Sequence, residues 1–206
     1  AIYLFFGVLP EMFSSTRARR FADNVASIAD PGRSFREKQR RVATVGSADS
    51  KRALAEEYIR TGRFADAVEI YESAMAGPLG ANDSALLKGM ARAKMLSGDG
   101  SAAEALFQRL KETDPAAFDA DAELDYARAL VLQGKNEGAV RQYEHVVPRY
   151  PGEEARCRFA LLLEELGENE RARQLFGEIL EALKGAPGYY RRRQAEWVRI
   201  ARQHLK

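Results

Sequence analysis

The chain has 206 residues, 46% hydrophobic and 30% charged, and its length and apolar content exclude wholesale disorder, while its single cysteine excludes a disulfide framework. The charge is uneven. Residues 1–46 contain eight basic and four acidic residues, and residues 185–206 contain six basic residues and one acidic residue. Residues 47–184 contain eighteen basic and twenty-five acidic residues. This acidic body argues against a nucleic-acid-binding protein and leaves the two basic ends as candidate contacts for anions.

Residues 1–13 form an apolar segment that reads IYLFFGVLPEMF from Ile2. A helix that spans a bilayer needs about 20 mainly apolar residues, so this segment predicts the cytoplasmic end of a truncated membrane anchor. Arg17, Arg19 and Arg20 follow it, and positive charge at this place predicts that the downstream chain is tethered at the cytoplasmic face of a bacterial inner membrane. The alternative is an apolar segment packed on the body or on a partner.

Residues 14–46 are predicted to be a basic linker. Phe21, Val25 and Ile28 recur at helical spacing and indicate a short amphipathic helix from about Arg17 to Ala29. Asp30-Pro31-Gly32 is typical of a turn, and a basic run follows it. Two interpretations stay open: attraction of the basic residues to anionic lipid headgroups, or a solvated linker.

A repeated pattern covers the central part of the chain. Four glycines, Gly62, Gly98, Gly134 and Gly167, lie 36, 36 and 33 residues apart. Seven residues before each glycine stands an alanine (Ala55, Ala91, Ala127, Ala160). Five residues after each glycine stands another alanine (Ala67, Ala103, Ala139, Ala172). Nine residues after each glycine stands an aromatic residue (Tyr71, Phe107, Tyr143, Phe176). Repetition at this period predicts stacked units. In each unit a glycine with positive φ ends the first helix, and small residues let the second helix pack closely against it.

These columns resemble tetratricopeptide repeats, which carry a small residue, Gly, Ala, an aromatic and Pro in this order. The resemblance covers residues 47–184, in units of about 48–82, 84–117, 120–152 and 153–184. It implies an all-α, right-handed α-solenoid of about four helical hairpins. With its apolar N-terminus, the chain is also similar to bacterial membrane-tethered proteins of this family.

Residues 185–206 are predicted to form one capping helix, because the last unit of a solenoid otherwise exposes its apolar side. The predicted buried stripe contains Tyr190, Ala195, Trp197, Val198, Ala201 and Leu205. Arg191, Arg192 and Arg193 lie near its start. An alternative is that these arginines and Trp197 bind nucleic acid, but a single short basic face releases few counterions.

The sequence predicts no enzyme, because nucleotide-binding, hydrolase and metalloprotease motifs are absent. His145 and His204 lie in different units, and Cys157 is interpreted as an ordinary thiol. No catalytic residue, cofactor or metal is therefore expected.

The family resemblance implies a concave groove, lined by the first helices, that binds a protein or peptide partner. Counting each glycine as position fifteen, the groove-facing positions supply Arg52, Arg60, Lys88, Arg92, Leu124, Arg128, Val131, Leu132, Leu161, Glu164 and Glu165, with Cys157 beside them. The groove is expected to be basic at one end, apolar in the middle and acidic at the other. Glu56 and Gly89 stand where chaperone-binding relatives carry a carboxylate clamp, so such a clamp is not expected.

The leading hypothesis is an interaction scaffold that holds a peptide or protein in this groove. One alternative is a structural oligomerisation module without a groove ligand, and the groove residues would then be ordinary solvated helix faces. The other is nucleic-acid contact through the basic C-terminal helix.

Overall fold

The computed structural model describes residues 32–77 and 80–206, and every regular element in those ranges is an α-helix. The helices are α1 Arg33–Val45, α2 Ala48–Arg60, α3 Phe64–Met75, α4 Ser84–Leu96, α5 Gly100–Thr113, α6 Ala120–Leu132, α7 Asn136–Val146, α8 Glu154–Glu165, α9 Asn169–Ala182, α10 Gly188–Arg193 and α11 Ala195–His204. The apolar segment 1–13 and the short helix expected over 17–29 lie outside the described residues. Within the described ranges, none of the helices combines the length and apolar character needed to cross a membrane.

Four hairpins, α2–α3, α4–α5, α6–α7 and α8–α9, turn at the four column glycines. The glycines have φ of 75°, 90°, 68° and 81°, as the sequence predicted. At the first turn the Gly62 N–H donates to the Ile59 carbonyl and the Arg63 N–H to the Tyr58 carbonyl, and the same pair of bonds recurs at the other three turns. This arrangement satisfies the last helical carbonyls and requires a residue with positive φ, which explains why glycine recurs there.

The two alanine columns and the aromatic column of the repeat pattern form the inside of the stack. Every alanine and aromatic residue of these columns is at most 2% exposed. Each hydrophobic cluster also reaches into the next unit: Tyr71 packs with Leu86 of α4, and Phe107 packs with Ala122 of α6 and with Phe118, just before that helix. Neighbouring hairpins therefore share one continuous core, and the predicted all-α solenoid is confirmed.

Residues 33–45 differ from the predicted linker, because they form α1 and pack against the first hairpin. The Phe35 ring meets the Tyr58 ring edge to face, with centroids 5.2 Å apart, and Val42 packs on the same cluster. Lys38 Nζ lies 2.8 Å from Glu57 Oε2. The prediction was wrong because only two large apolar side chains, two helical turns apart, mark the buried face of a helix that is otherwise mainly basic.

The C-terminal segment is two short helices, α10 and α11, rather than the single capping helix expected over 185–206. Gln194 separates them; it is buried, and its side-chain oxygen accepts a hydrogen bond from the Glu153 N–H at 3.0 Å. Ala201 is fully buried and Trp197 and Val198 pack on the core, but Ala195 and Leu205 are exposed. The spacing of apolar residues does not predict this break, because Gln194, the buried residue that stabilises it, is polar.

Candidate binding groove

The groove is the face formed by the first helices of the hairpins, α2, α4, α6 and α8, and it contains two recesses. The N-terminal recess has a volume of about 550 Å³ and is lined by Arg52, Glu56, Ile59, Arg60, Tyr71, Ala85, Lys88, Gly89 and Arg92. The central recess has a volume of about 380 Å³ and is lined by Met95, Leu96, Gly98, Arg128, Val131, Leu132, Tyr143, Arg158, Leu161, Leu162 and Glu165. The structure thus brings most of the predicted groove residues together, in two separate places.

The cations of the N-terminal recess are paired with carboxylates of the same chain. Arg52 Nη1 lies 2.8 Å from Glu56 Oε1, and Lys88 Nζ lies 2.6 Å from Asp119 Oδ2. Arg60 pairs with the buried Glu57. Arg92, the fourth cation of this recess, pairs with Asp125. The basic end predicted from the groove positions is therefore compensated by four carboxylates, two from the groove helix itself and two from the chain at and after the start of the next groove helix.

Glu57 pairs with Arg60, which lines this recess. Its carboxylate is buried and pairs with Arg60 and with Lys38 of α1. The hydrogen bond from Arg60, supported by the one from Lys38, lowers the pKa of Glu57 to about 2, because both interactions favour the charged carboxylate. Glu57 therefore stays ionised at neutral pH and ties α1 to the start of the groove.

Asp125 is a buried carboxylate between the two recesses. Arg128 Nη1 donates to Asp125 Oδ1 at 2.8 Å, and Arg92 Nε lies 3.6 Å from Asp125 Oδ2. Burial raises the pKa of Asp125, while the two guanidinium groups oppose that effect by favouring the carboxylate. Because Arg92 belongs to α4 and the other two residues to α6, this ion cluster joins the second and third units.

Gly89 sets the depth of the N-terminal recess. A Cβ at this position would overlap the Tyr71 hydroxyl, so any larger residue would collide with the tyrosine. Tyr71 is buried, and its burial raises the pKa of the phenol to about 12, which keeps it neutral. The absence of a side chain at residue 89 therefore lets the column tyrosine reach the groove floor.

The central recess is mainly apolar on its walls. Val131 and Leu132 at the end of α6 line it together with Leu96 of α4 and Leu161 of α8. Arg158 at its side is held by Glu154 at 2.8 Å and lies over the Trp197 ring, 5.0 Å from the centroid. Glu165, at the rim, is exposed and forms no ion pair with the residues that the structure describes.

The groove prediction was wrong for Leu124 and Cys157, which lie in the core instead. They occupy the same position of their units as Arg52 and Lys88, but both belong to the buried cluster that includes Ala155 and Ala201. The C-terminal helix α11 covers Cys157, whose Sγ lies 4.0 Å from the Trp197 carbonyl oxygen. Burial raises the pKa of this thiol to about 11, so it stays protonated at neutral pH.

Glu164 lies next to the groove and contacts the cap. Its Oε2 is 2.5 Å from His204 Nδ1, and the His204 ring stacks on Phe176 with centroids 5.1 Å apart. Glu164 therefore bridges the last groove helix to α11.

Several residues of the site are absent from the predicted set of groove residues. Leu96 precedes its column glycine by two residues, as Leu132 does, so the repeat alignment already contained the signal that finds it. Asp119 and Asp125 had no such signal, because Lys88 and Arg92 reach them from the preceding unit. Arg158 had none because the Trp197 ring below it belongs to the C-terminal helix.

Comparisons with known proteins agree with this architecture. A model of the tetratricopeptide repeat family matches residues 58–120, and a search of curated proteins finds no significant match. The structure is similar to TTC0263, a thermophilic TPR protein in Thermus thermophilus, with TM-score 0.67 and 13% identity over 90% of this chain and 96% of that one. It is also similar to MamA, with TM-score 0.61 and 20% identity over 80% and 92% of the two chains.

A further similar structure is YrrB, described as a TPR protein with an unusual peptide-binding site, with TM-score 0.58 and 15% identity over 81% of this chain and 84% of that one. At these identities the structural likenesses establish the fold. Together with the four glycine-turned hairpins, they show that this chain has the tetratricopeptide repeat fold, and the family model matches it over residues 58–120.

Proposed function

We propose that the protein is an interaction scaffold that binds a peptide segment of a partner along the groove, with an apolar side chain of the peptide in the central recess. Proteins of this fold serve protein–protein interaction. YrrB, which shares the fold, is described as having a peptide-binding site.

The observation that carries the proposal is the exposure of Leu132. This leucine is 52% exposed although it lies beside Val131 and Leu161 in a concave apolar recess. Of the large apolar side chains exposed in the described part of the chain, Val45, Leu132, Leu166, Tyr189 and Leu205, Leu132 is the one that lines this recess. An inserted apolar side chain would remove Leu132 from water, which favours binding.

The polar groups around the recess set the orientation that we propose for the peptide. Arg60 and Arg92, which are half or more exposed, lie towards the N-terminal recess, and acidic residues of the peptide would extend in that direction. Glu165 lies at the opposite rim and would accept hydrogen bonds from peptide N–H groups or from a basic side chain. The paired carboxylates in the N-terminal recess limit the net attraction there, so the apolar anchor supplies most of the affinity.

A peptide selected from a displayed random library on the wild-type protein tests the groove. Leu132→Glu is expected to weaken binding of that peptide at least about tenfold, because it removes the apolar contact of a side chain that is still 52% exposed and places an unpaired carboxylate in the apolar recess. Val45→Glu is the matched control, since Val45 is equally apolar and exposed but lies on α1, outside both recesses; it should change the affinity less than about twofold. Equal affinity of both variants for the peptide would exclude the central recess as the anchor site.

The membrane tether is a separate part of the proposal and rests on the residue pattern of the N-terminal segment. We expect the full-length gene product to sediment with inner membranes and to be released by detergent but not by salt. Recovery in the supernatant, or release by salt alone, would count against a hydrophobic anchor and leave the groove proposal unaffected.

A further inference from the structure

The end of the solenoid carries a second recess-bearing surface, which we call the C-terminal basic face. Its recess has a volume of about 500 Å³ and is lined by Leu183, Arg191, Ala195, Val198, Arg199, Arg202, Gln203 and Lys206. Residues 195, 198, 199, 202 and 203 follow helical spacing on α11, so they share one side of that helix. Leu183 at the end of α9 and Arg191 of α10 complete the recess.

The cations of this face differ from most of those in the repeat body, residues 47–184, in forming no ion pair with an acidic residue that the structure describes. Most lysines and arginines between residues 47 and 184 form an ion pair with a carboxylate, including those of the groove. None of the six basic residues between 185 and 206 pairs with an acidic residue in the part of the chain that the structure describes. Arg199 contacts only Gln203, at 3.3 Å. An anion that binds here therefore has no internal carboxylate to displace.

A polar cap does not by itself require this arrangement. A solenoid needs a terminal helix with a polar outer face, and the mixed, mostly paired charges found on the helices of the four hairpins would satisfy that need. Clustered like charges repel one another unless an external anion neutralises them. The concentration of unpaired positive charge around a concave recess therefore favours a binding surface.

The floor and rim of the recess identify the class of ligand. Leu183, Ala195 and Val198 make the floor apolar, and Arg191, Arg199, Arg202 and Lys206 surround it with positive charge. We propose that this face binds a polypeptide segment of a partner in which carboxylates flank one or two apolar side chains. The apolar side chains would enter the recess, and the carboxylates would pair with the surrounding guanidinium and ammonium groups.

Nucleic acid and lipid fit the face less well. Sequence-independent binding of single strands uses successive exposed aromatic rings, whereas Trp197 is partly buried under Arg158 and only Tyr189, 62% exposed, is available nearby. An interfacial membrane helix directs its large apolar side chains into the lipid. On α11 the side chains of Trp197 and Ile200 pack instead on the protein core.

The test measures fluorescence anisotropy of a labelled peptide of Glu and Leu, with Leu at every third or fourth position. Two control peptides carry Gln in place of Glu, or Ser in place of Leu. The test variant is Arg199→Glu with Arg202→Glu, whose side chains are exposed and make no ion pair with the described residues. The matched control is Arg173→Glu with Lys184→Glu, which changes the net charge by the same amount at exposed sites on α9 and just beyond it.

We expect the Arg199→Glu/Arg202→Glu variant to weaken binding of the acidic peptide at least about tenfold, and the control variant less than about twofold. Both control peptides should bind more weakly than the acidic peptide, and added salt should weaken its binding further. Leu132→Glu should leave this affinity unchanged, which separates the result from the groove proposal.

The proposal is overturned if the acidic peptide binds no better than its Gln counterpart, or if both charge-reversal variants lose affinity equally. It is also overturned if an oligothymidylate, or vesicles of phosphatidylcholine with phosphatidylserine, bind through Arg199 and Arg202 more tightly than the peptide does. Either of those outcomes would assign the face to nucleic acid or to an anionic membrane surface.

Discussion

Replacing both Arg92 and Arg128 with Ala is expected to lower the free energy of unfolding by about 3–5 kcal/mol, because it leaves the buried Asp125 carboxylate without a counter-charge. Denaturant unfolding followed by circular dichroism measures the loss. The control is Arg173→Ala with Lys184→Ala, which removes two exposed ion pairs and should cost less than about 1 kcal/mol.

The pH dependence of the same variant checks the cause. Burial already raises the pKa of Asp125, and without the guanidinium groups it rises further above its value in the unfolded chain. The folded state then binds more protons than the unfolded state, so the variant should lose stability as the pH increases from about 4 to 8. Adding Asp125→Asn should recover about 2 kcal/mol and abolish this slope. A variant as stable as wild type at all these pH values would show that the cluster is not structural.

Substitutions at Arg92 and Arg128 would affect both stability and peptide binding. Arg92 and Arg128 lie at groove positions, and their removal would reduce peptide binding simply by loosening the contact between the second and third units. Leu132 has no such role, because its side chain is half exposed and supports no buried charge. Loss of peptide binding in Leu132→Glu therefore reports on the groove itself.

Phe107→Ala should have an effect of similar size, with an expected loss of about 3–5 kcal/mol in the free energy of unfolding. The ring is fully buried, and its centroid lies 6.4 Å from that of Phe118 and 6.2 Å from that of Tyr126. The substitution leaves a cavity where the second unit packs on the third, and backbone restraints from both hairpins keep the cavity from closing.

Thermal and denaturant unfolding of the purified variant measure this loss. Tyr189→Ala provides the comparison, because that aromatic side chain is largely exposed and its removal should change stability by less than about 0.5 kcal/mol. A loss below about 1 kcal/mol for Phe107→Ala would mean that the unit interface repacks, contrary to the tight packing inferred from the aromatic column.

The repeat pattern was sufficient to predict the hairpins because each column encodes a local requirement. A glycine at the end of the first helix specifies a positive φ, and the alanine columns specify close helix packing. Both requirements depend on residues a few turns apart, so they can be read along the chain. The same pattern predicted groove positions for Val131, Leu132 and Leu161, and these three residues line the central recess.

The sequence by itself determined the four hairpins and the helix faces that pack against each other, because helical periodicity and turn geometry are local properties. Only the tertiary structure decided that Cys157 is covered by α11, that α1 joins the core, and that Lys88 and Arg92 pair with Asp119 and Asp125 of the next unit. The physical reason is that a helix face becomes core or surface according to what stacks on it. That depends on the rotation between successive units, which arises from the packing of the whole stack.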